Sequence, residues 1–376
     1  MRLQNVVCRP VFALLVAATL LAAIVGAVRP ANGQKPVPPP PVNYVITWLD
    51  PLGKMSVEVR DMNNSGHVVG RVYSIGLEVD SIAFVYAGDA SGAVIDLNLN
   101  VGTIINENRA NWTLTCAYGI NELNQIVGWA KNKNTLETRG FITNPLWTTC
   151  TLLPAPAIPG FQKAARINNF GEIVAAEGNA SVVLYHWETD HYVRGLTLQP
   201  PSPSIDSHGV FISGFNDVGQ IFVVSGLRYT PSIWQDFGAT HGVKLSYGMN
   251  QSGSFVGNRI VGRKWYAFRY TNATGEMLDF TSVSAAARDI NNDGDVCMLG
   301  KVYSEKSKLL LTLNDLVVGT PTVLADWKNA LIKPAQMTDR IGTTDFGAIS
   351  GEATFIAKNV YYSKAFLLWP QKPPVN

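Results

Sequence analysis

The chain is poor in charge. Only 15% of its 376 residues are Asp, Glu, Lys or Arg, and the net charge is +2 with histidine neutral. Nucleic acids and anionic membrane surfaces are bound through concentrated positive charge. A balance this close to zero argues against both as partners.

Helical periodicity is also missing. No long stretch places apolar residues at i, i+3, i+4 and i+7, the spacing that buries one face of a helix. The chain contains instead 33 glycines, 21 prolines and 10% aromatic residues. This composition is typical of short strands joined by tight turns, and it predicts an all-β fold.

Common catalytic motifs are absent from the sequence. It contains no nucleophile elbow, no phosphate-binding loop and no zinc-protease helix motif. We therefore expect a protein that binds rather than catalyses and that uses no cofactor. The alternative is a secreted hydrolase or lyase that acts on polysaccharide with carboxylates in its channel. Two carboxylates about 5 to 10 Å apart in one pocket would favour that alternative.

Cysteine is scarce, with four in the chain. Cys8 lies near the N-terminus, which leaves Cys116, Cys150 and Cys297 for the fold. An odd number in an exported protein allows one disulfide and one free thiol. Cys116 and Cys150 are the closest pair in sequence, but the sequence does not fix the pairing.

The N-terminal residues have the organisation of an export signal. Arg2 and Arg9 form a positive flank, residues 11–25 are an apolar run, and small residues follow. We expect a signal peptide over residues 1–33, with cleavage after Ala27 or Gly33. An uncleaved single-span anchor is the alternative, although the run is short for a bilayer.

The remaining boundaries follow from composition. Residues 34–43 are a Pro-rich linker, 44–370 the folded domain and 371–376 a C-terminal tail. The mature chain would have no membrane span and would be secreted, extracellular or at the cell surface, with the periplasm as a further location.

One short motif recurs along the chain. Its rule is an apolar residue, Asn, two variable residues, Gly, one variable residue and an apolar residue. The seven copies are MNNSGHV (62–68), INELNQI (120–126), INNFGEI (167–173), FNDVGQI (215–221), MNQSGSF (249–255), INNDGDV (290–296) and TTDFGAI (343–349). Asn124 replaces the Gly in the second copy, and Thr344 replaces the Asn in the last.

The rule has a physical cause in hairpin turns. Asn at the first position of a type I turn accepts a backbone N–H, and the turn needs a following residue with positive φ. Gly adopts positive φ without steric cost, and Asn is the next best residue. We predict positive φ at the following residues: Gly66, Asn124, Gly171, Gly219, Gly253, Gly294 and Gly347.

The spacing of the motif indicates a β-propeller. The motif recurs about every 47 residues, which is the size of a four-stranded blade. A short aromatic strand follows most copies, although KLLLTL (308–313) in the sixth unit is a poor match. We therefore predict seven four-stranded blades, with six as the alternative. YVITWLDPLG (44–53) resembles a fourth strand and should complete the last blade, which removes an exposed edge.

The repeat resembles the extracellular HAF-repeat family of bacterial proteins. The closest copy is MNQSGSFVGNRIVGRKWYAFRYTNATGEMLDF (249–280), and the resemblance runs from about Tyr44 to Trp369. The position of the family's His holds Ile82, Tyr266 or Lys364 in this chain. The resemblance implies export and a propeller-like β fold, and it implies no activity.

The sixth copy also resembles a calcium-binding loop. Asp289, Asn291 and Asp293 alternate and Gly294 follows, but position twelve is Gly300 where such a loop needs Glu. The sister copies lack this set of acids. We therefore interpret the stretch as a hairpin turn, with calcium as the alternative.

Other candidate sites are weaker. His186, Glu188 and Asp190 could share a strand face as metal ligands, although they also fit a turn. Trp112, Trp129 and Trp147 cluster in the second unit, outside the regular aromatic positions. Exposed, they would form a surface for a glycan or a protein partner. Core packing also explains these tryptophans, and we favour it over a binding surface.

Overall fold

The Asn motifs lie at turns that join the first and second strands of successive antiparallel sheets. The structure is a computed structural model that describes residues 43–49, 52–53, 56–74, 77–88, 93–156, 161–178, 181–200, 212–282, 286–339, 346–357 and 360–371. The expected signal peptide and most of the expected linker and tail lie outside these residues. No helix among the described residues is long and apolar enough to cross a membrane.

The first four blades follow the chain in order. Blade 1 contains β2 (Ser56–Met62), β3 (Val68–Ser74), β4 (Leu77–Tyr86) and β5 (Val94–Asp96). Blade 2 has the four strands β7 (Trp112–Ile120), β8 (Ile126–Asn132), β9 (Thr138–Thr143) and β10 (Thr149–Leu152), and a short additional strand, β6 (Thr103–Ile104), pairs with β10 at its edge. Blade 3 contains β11 (Gln162–Ile167), β12 (Ile173–Glu177), β13 (Ser181–Glu188) and β14 (His191–Leu198). Blade 4 contains β15 (Ile212–Phe215), β16 (Ile221–Val223), β17 (Leu227–Thr230) and β18 (Ile233–Asp236).

The remaining blades complete a ring. Blade 5 contains β19 (Val243–Met249), β20 (Phe255–Val261), β21 (Lys264–Thr271) and β22 (Glu276–Ser282). Blade 6 contains β23 (Ala287–Ile290), β24 (Val296–Met298), β25 (Lys301–Tyr303) and β26 (Leu310–Thr312). Blade 7 contains β28 (Leu331–Met337), β29 (Ile349–Ala357), β30 (Val360–Gln371), β1 (Asn43–Leu49) and β27 (Val317–Val318). The described residues thus form a seven-bladed β-propeller, and the predicted fold class is confirmed.

Short helices connect some of the strands. They are α1 (Leu97–Asn100), α2 (Phe237–His241), α3 (Leu313–Leu316), α4 (Pro321–Asn329) and a 3₁₀ turn (Arg109–Asn111). The helix α4 lies in the extra sequence between blades 6 and 7. Its N-cap is Thr320, whose side chain accepts the backbone N–H of Val323, and its first residue is Pro321.

The N-terminal strand closes the ring, as predicted. Strand β1 pairs antiparallel with β30, from Asn43 opposite Gln371 to Leu49 opposite Ala365. The hydroxyl of Tyr44 also donates to the carbonyl of Gly347 at 3.1 Å. A blade edge that would otherwise be unpaired is thus covered by the chain itself.

The core lies within and between the blades and contains an aromatic side chain from each third strand. These buried residues are Phe84, Phe141, Tyr185, Tyr229, Phe268, Tyr303 and Phe366. Close approach requires glycine opposite some of them: a Cβ built on Gly70 or Gly128 would lie 2.9 Å from the ring of Phe84 or Phe141. In blade 6 the third strand is KVY (301–303), so the assignment of KLLLTL to that strand was wrong.

The cysteine pair closest in sequence is not bonded. Cys116 lies on the first strand of blade 2 and Cys150 on the fourth, with two strands between them. Strands are about 4.8 Å apart, so this separation exceeds the span of a disulfide. Cys116, Cys150 and Cys297 are buried free thiols, and burial raises the pKa of Cys116 to about 11.

Candidate functional site

The Asn motifs form the predicted turns in six blades. In each, the Oδ1 atom of the Asn accepts the backbone N–H four residues later, at 2.8 to 3.1 Å. The residue at the Gly position donates its N–H to the carbonyl of the same Asn. Its φ is positive in all six, from +62° at Asn124 to +84° at Gly294. The turn chemistry read from the sequence is confirmed for these copies.

The seventh turn differs from the prediction. Thr338 takes the place of the Asn: its N–H donates to the carbonyl of Ala348, and its hydroxyl accepts the N–H of Ala348 at 2.8 Å. Ten residues separate these partners instead of four, because the loop is longer. Thr344 lies outside the described residues, and Gly347 does not have positive φ. The alignment of TTDFGAI with the other turns was therefore wrong.

The seven turns are joined in a closed ring of hydrogen bonds, which we call the turn ring. The residue after the Asn, or after Thr338, uses its backbone N–H to bind the side chain of its counterpart in the next blade. The donors and acceptors are Asn64 to Glu122 (3.2 Å), Glu122 to Asn169 (3.0 Å), Asn169 to Asp217 (2.8 Å), Asp217 to Gln251 (2.8 Å), Gln251 to Asn292 (2.9 Å), Asn292 to Asp339 (2.7 Å) and Asp339 to Asn64 (2.8 Å).

The motif Asn also reaches the neighbouring blade. The Nδ2 atom of Asn63 donates to the carbonyl of Asn121 at 3.1 Å, and that of Asn291 donates to Thr338 at 3.0 Å. The sequence did not predict these contacts between blades, and the residue after the Asn was treated as variable. A signal was present, because that position holds only Asn, Asp, Glu or Gln. The motif thus encodes the contact between blades as well as the turn.

The residues that resemble a calcium-binding loop, in the sixth copy of the motif, form hydrogen bonds within their turn and to the next blade, as in the other turns. Asp289 is buried, and its Oδ2 atom accepts the N–H of Met337 at 2.8 Å. Asn291 binds Asp295 and Thr338, while Asp293 is exposed. No group of three His, Cys, Asp or Glu side chains among the described residues is arranged to hold a metal. The hydrogen bonding of this loop is that of its sister turns.

The first strands of the blades surround a central channel, which narrows at the turn ring to a space of about 150 Å³. Asp61, Arg166 and Asp289 line this end. Asp61 accepts the N–H of Ile120 at 3.0 Å. Burial raises the pKa of Asp61, and it raises the pKa of Asp289 to about 7. This end is polar, and its acids are bonded to backbone.

Further along the channel is a larger space of about 530 Å³, which we call the channel cavity. The charged side chains among its described lining residues are Arg60, Arg166, Arg288, Lys333, Glu58 and Glu352. Tyr118 and Tyr247 also line it. The described lining thus has four cationic and two acidic side chains, which come from blades 1, 3, 6 and 7.

The charges in the channel cavity are only partly paired. Arg60 binds Glu58 at 2.5 Å and lies 4.8 Å above the ring of Tyr118. Its Nε atom is buried and has no hydrogen-bond partner. Glu352 accepts the N–H of Val59 at 3.2 Å. Burial, and next the charge of Glu58, raises the pKa of Glu352 to about 7.

The three tryptophans of the second unit do not form an exposed surface. Trp112 and Trp147 are buried in the core of blade 2. The indole N–H of Trp147 donates to the carbonyl of Asn124 at 2.8 Å. Trp129 is partly buried, with the ammonium of Lys163 lying 5.2 Å from its ring. Core packing, the favoured explanation, accounts for Trp112 and Trp147.

The other candidate cluster is a pair of local contacts. The ring of His186 lies 2.8 Å from Glu188, and that of His191 lies 2.7 Å from Asp190. Both pairs are exposed on blade 3 and belong to the hairpin between β13 and β14. This arrangement matches the predicted turn better than a metal site.

An exposed apolar surface was missed by sequence analysis. The turn face, which carries the turn ring, has large apolar side chains on blades 2, 3 and 4 that are between 52% and 75% exposed. We call this set the apolar patch; its members are Leu123, Phe170, Val218, Leu146, Trp187 and Ile233. The first three occupy the second variable position of the Asn motif. Blades 1, 5 and 6 have Ser65, Ser252 and Asp293 at that position.

Contacts between turns bring the members of the apolar patch side by side. The turn ring ties the turns of Leu123, Phe170 and Val218 to one another. The outer hairpins pack on these turns: Trp147 follows Leu146 and binds Asn124, and Tyr192 binds the carbonyl of Gly171 at 3.1 Å. In blade 4, a Cβ on Gly219 would lie 3.7 Å from Pro231. The segments that carry the patch are therefore in contact within and between three neighbouring blades.

Comparisons with known proteins find similarity in backbone structure only. No family model matches the chain, and no curated protein matches it. Among solved structures, a chain of the mitotic checkpoint complex is 10% identical with a TM-score of 0.44, covering 91% of this chain and 98% of that one. YCF48 from Cyanidioschyzon merolae is 9% identical with a TM-score of 0.38, covering 89% and 97%. TolB from Acinetobacter baumannii is 11% identical with a TM-score of 0.35, covering 90% and 86%. The propeller assignment rests on the sheets described above, and these similarities carry no argument about partner or ligand.

Proposed function

We propose that the protein is an exported, non-catalytic propeller of the HAF-repeat type that binds another protein through the apolar patch. The observation that carries the proposal is the exposure of six large apolar side chains across three neighbouring blades. Contiguous apolar surface of this kind is typical of interaction sites. The turns themselves do not require it, because Ser or Asp serves at the same position in blades 1, 5 and 6.

The charge around the apolar patch indicates the chemistry of the partner. The patch is carried by the three Asn turns and the three outer hairpins of blades 2, 3 and 4. These six turns contain no Lys or Arg, and their acidic residues are Glu122, Glu172, Asp217, Glu188 and Asp190. Complementary charge guides association and suppresses wrong partners. The partner surface should therefore be apolar at its centre and basic at its rim. Export is supported by the N-terminal sequence and by the HAF-repeat resemblance.

Site-specific crosslinking tests the proposal. A photoreactive amino acid is placed at position 170 in the patch, or at position 252 in the polar half as the matched control, and the full chain is expressed in its native host. We expect a polypeptide adduct at position 170 only. Excess untagged wild-type protein should compete for the partner and reduce formation of the adduct. The variant Leu123→Ser, Phe170→Ser, Val218→Ser should not.

Several results would contradict the proposal. Equal labelling at positions 170 and 252, competition by the triple variant, or an adduct containing a glycan instead of a polypeptide would each exclude the patch as a protein-binding surface. An adduct of two copies of this chain would contradict the basic partner and identify self-association. Thermal unfolding of the triple variant checks that its fold is intact.

A hydrolase or lyase is the second candidate function. One observation favours it: Glu58 and Glu352 line the same cavity, and the pKa of Glu352 is raised to about 7, which suits a general acid. The test is release of reducing ends or unsaturated products from soluble polysaccharides. Activity that Glu352→Gln and Glu58→Gln both abolish would establish this function.

A further inference from the structure

We infer that the channel cavity binds a carboxylate-bearing saccharide, such as an oligouronate. This inference goes beyond the proposed protein-binding function, because it concerns the channel and not the turn face. It starts from the four cationic side chains that converge on one space, Arg60, Arg166, Arg288 and Lys333. Two carboxylates, Glu58 and Glu352, oppose them, so the described lining has an excess of positive charge.

Arg60 is the most constrained of the four cations. Its Nη2 atom binds Glu58, but its buried Nε–H has no acceptor. A buried donor without a partner is costly, and each such group in a native structure needs an explanation. The guanidinium as a whole presents several donors in a fixed plane, which suits Arg60 to bind a carboxylate in the cavity.

The aromatic residues of the channel cavity argue against a neutral sugar. Saccharide rings stack on free aromatic faces, but here a cation covers each tyrosine. The guanidinium of Arg60 lies 4.8 Å from the ring of Tyr118, and that of Arg288 lies 4.4 Å from the ring of Tyr247. Recognition in this cavity must therefore depend on charge and hydrogen bonding.

The acceptors of the channel cavity favour a saccharide over an acidic peptide. Glu58, Glu352 and Gln336 line the same space as the cations, and the oxygens of Glu58 already accept from Arg60 and Arg71. Sugar hydroxyls can donate to these oxygens while the sugar carboxylates bind the cations. A run of acidic side chains offers few donors and would be repelled by the two Glu residues. A volume of about 530 Å³ is also typical of small-ligand sites.

Calorimetric titration of the full chain tests the inference. The probes are trigalacturonate, its neutral methyl ester and hexaglutamate. We expect trigalacturonate to bind, with an affinity that falls as salt is added, and the ester to bind at least tenfold more weakly. Arg288→Ala and Lys333→Ala should each weaken trigalacturonate binding about tenfold, since each removes a charged contact.

The controls separate charge in the cavity from charge elsewhere. Lys328→Ala removes the same charge from an exposed position on helix α4 and should leave binding unchanged. No binding of trigalacturonate by folded protein, equal binding of the ester, equal loss in Lys328→Ala, or tighter binding of hexaglutamate would each overturn the inference. The triple variant Leu123→Ser, Phe170→Ser, Val218→Ser should bind trigalacturonate normally. Failure of this inference can therefore be told apart from failure of the protein-binding proposal.

Discussion

The turn face has two halves that share their buried chemistry and differ in what they expose. Blades 2, 3 and 4 place Leu123, Phe170 and Val218 at the second variable position of the Asn motif, with the side chains in solvent. Blades 5, 6 and 1 place Ser252, Asp293 and Ser65 there. The Asn caps and the turn ring are nevertheless the same in both halves.

This difference separates stability from recognition. The capping Asn and the residue after it are fixed by hydrogen bonds within and between blades. The next residue is exposed, and the turn accepts an apolar side chain in three blades and Ser or Asp in three others. Apolar side chains at this exposed position on three neighbouring blades support the proposed protein partner. Substitutions at the two kinds of position should have different effects.

The largest expected effect is on binding. Exchanging the apolar residues for those of the polar half, as Leu123→Ser, Phe170→Asp, Val218→Ser, should weaken partner binding at least 100-fold, or about 3 kcal/mol. The free energy of unfolding should change by less than about 0.5 kcal/mol per substitution, because the side chains are exposed. Surface plasmon resonance with the crosslinked partner and urea unfolding measure the two quantities. A folded variant that binds normally would remove the functional meaning of the comparison.

The capping Asn should matter equally in both halves. Asn168→Ala and Asn291→Ala each remove a buried side chain with several hydrogen bonds, and each should cost about 2 to 4 kcal/mol of unfolding free energy. Urea unfolding at pH 7 measures both. If only one half were sensitive, the two halves would not share their structural chemistry.

The pH dependence of stability should differ between the two halves at the first-strand position that faces the channel. Asp289 in blade 6 has a pKa raised to about 7, whereas blade 3 has Arg166 at the same motif position. The folded-state pKa lies above the unfolded value of about 4, so this carboxyl favours folding at low pH and its contribution is lost as pH rises from about 4 to 7. Asp289→Asn keeps an acceptor for Met337 and cannot ionise.

Asp289→Asn should therefore raise the unfolding free energy at pH 8 by on the order of 1 to 3 kcal/mol and have little effect at pH 4. Urea unfolding across this range measures the difference from wild type. Asp293→Asn, on the exposed side of the same turn, is the control and should show no such trend. A difference that grows toward low pH would refute the assignment.

A smaller effect is expected at the positive-φ glycines. Gly294→Ala should cost about 1 kcal/mol or more, because φ is +84° there, whereas Asp293→Ala should change stability by less than about 0.5 kcal/mol. Gly171→Ala and Phe170→Ala form the matched pair in the apolar half. Thermal unfolding compares the pairs. A large loss of stability in Asp293→Ala or Phe170→Ala would show that the exposed side chain contributes to the fold.

The smallest expected effect is that of calcium. Since Asp289 and Asn291 bind neighbouring backbone, added calcium should leave the Tm within about 1 °C. Differential scanning calorimetry with calcium or with chelator measures this. A large rise in Tm that Asp289→Ala abolishes would mean that the sixth turn is a metal site after all.

Local rules predicted much of this structure and failed where the chain departs from the repeat. The turns of six blades, the third-strand aromatic residues of blades 1, 2, 3, 5 and 7, and the closing strand follow from short-range patterns. Thr338 was missed because a longer loop moved the cap away from the sequence match at Thr344. The tryptophans of blade 2 could not be placed, because burial depends on neighbouring strands and connections. The apolar patch was not predicted for the same reason: its members in successive Asn motifs, Leu123, Phe170 and Val218, are 47 and 48 residues apart along the chain.

The sequence by itself determined the local structure of this protein, because a type I turn with positive φ needs Asn and Gly at fixed positions and because the repeat length matches one blade. Tertiary structure alone decided the rest. Closure of the ring brings seven turns within hydrogen-bonding distance, brings four cations from separate blades to one cavity, and aligns exposed apolar residues on three blades. These are contacts between residues far apart in sequence, and no local propensity encodes them.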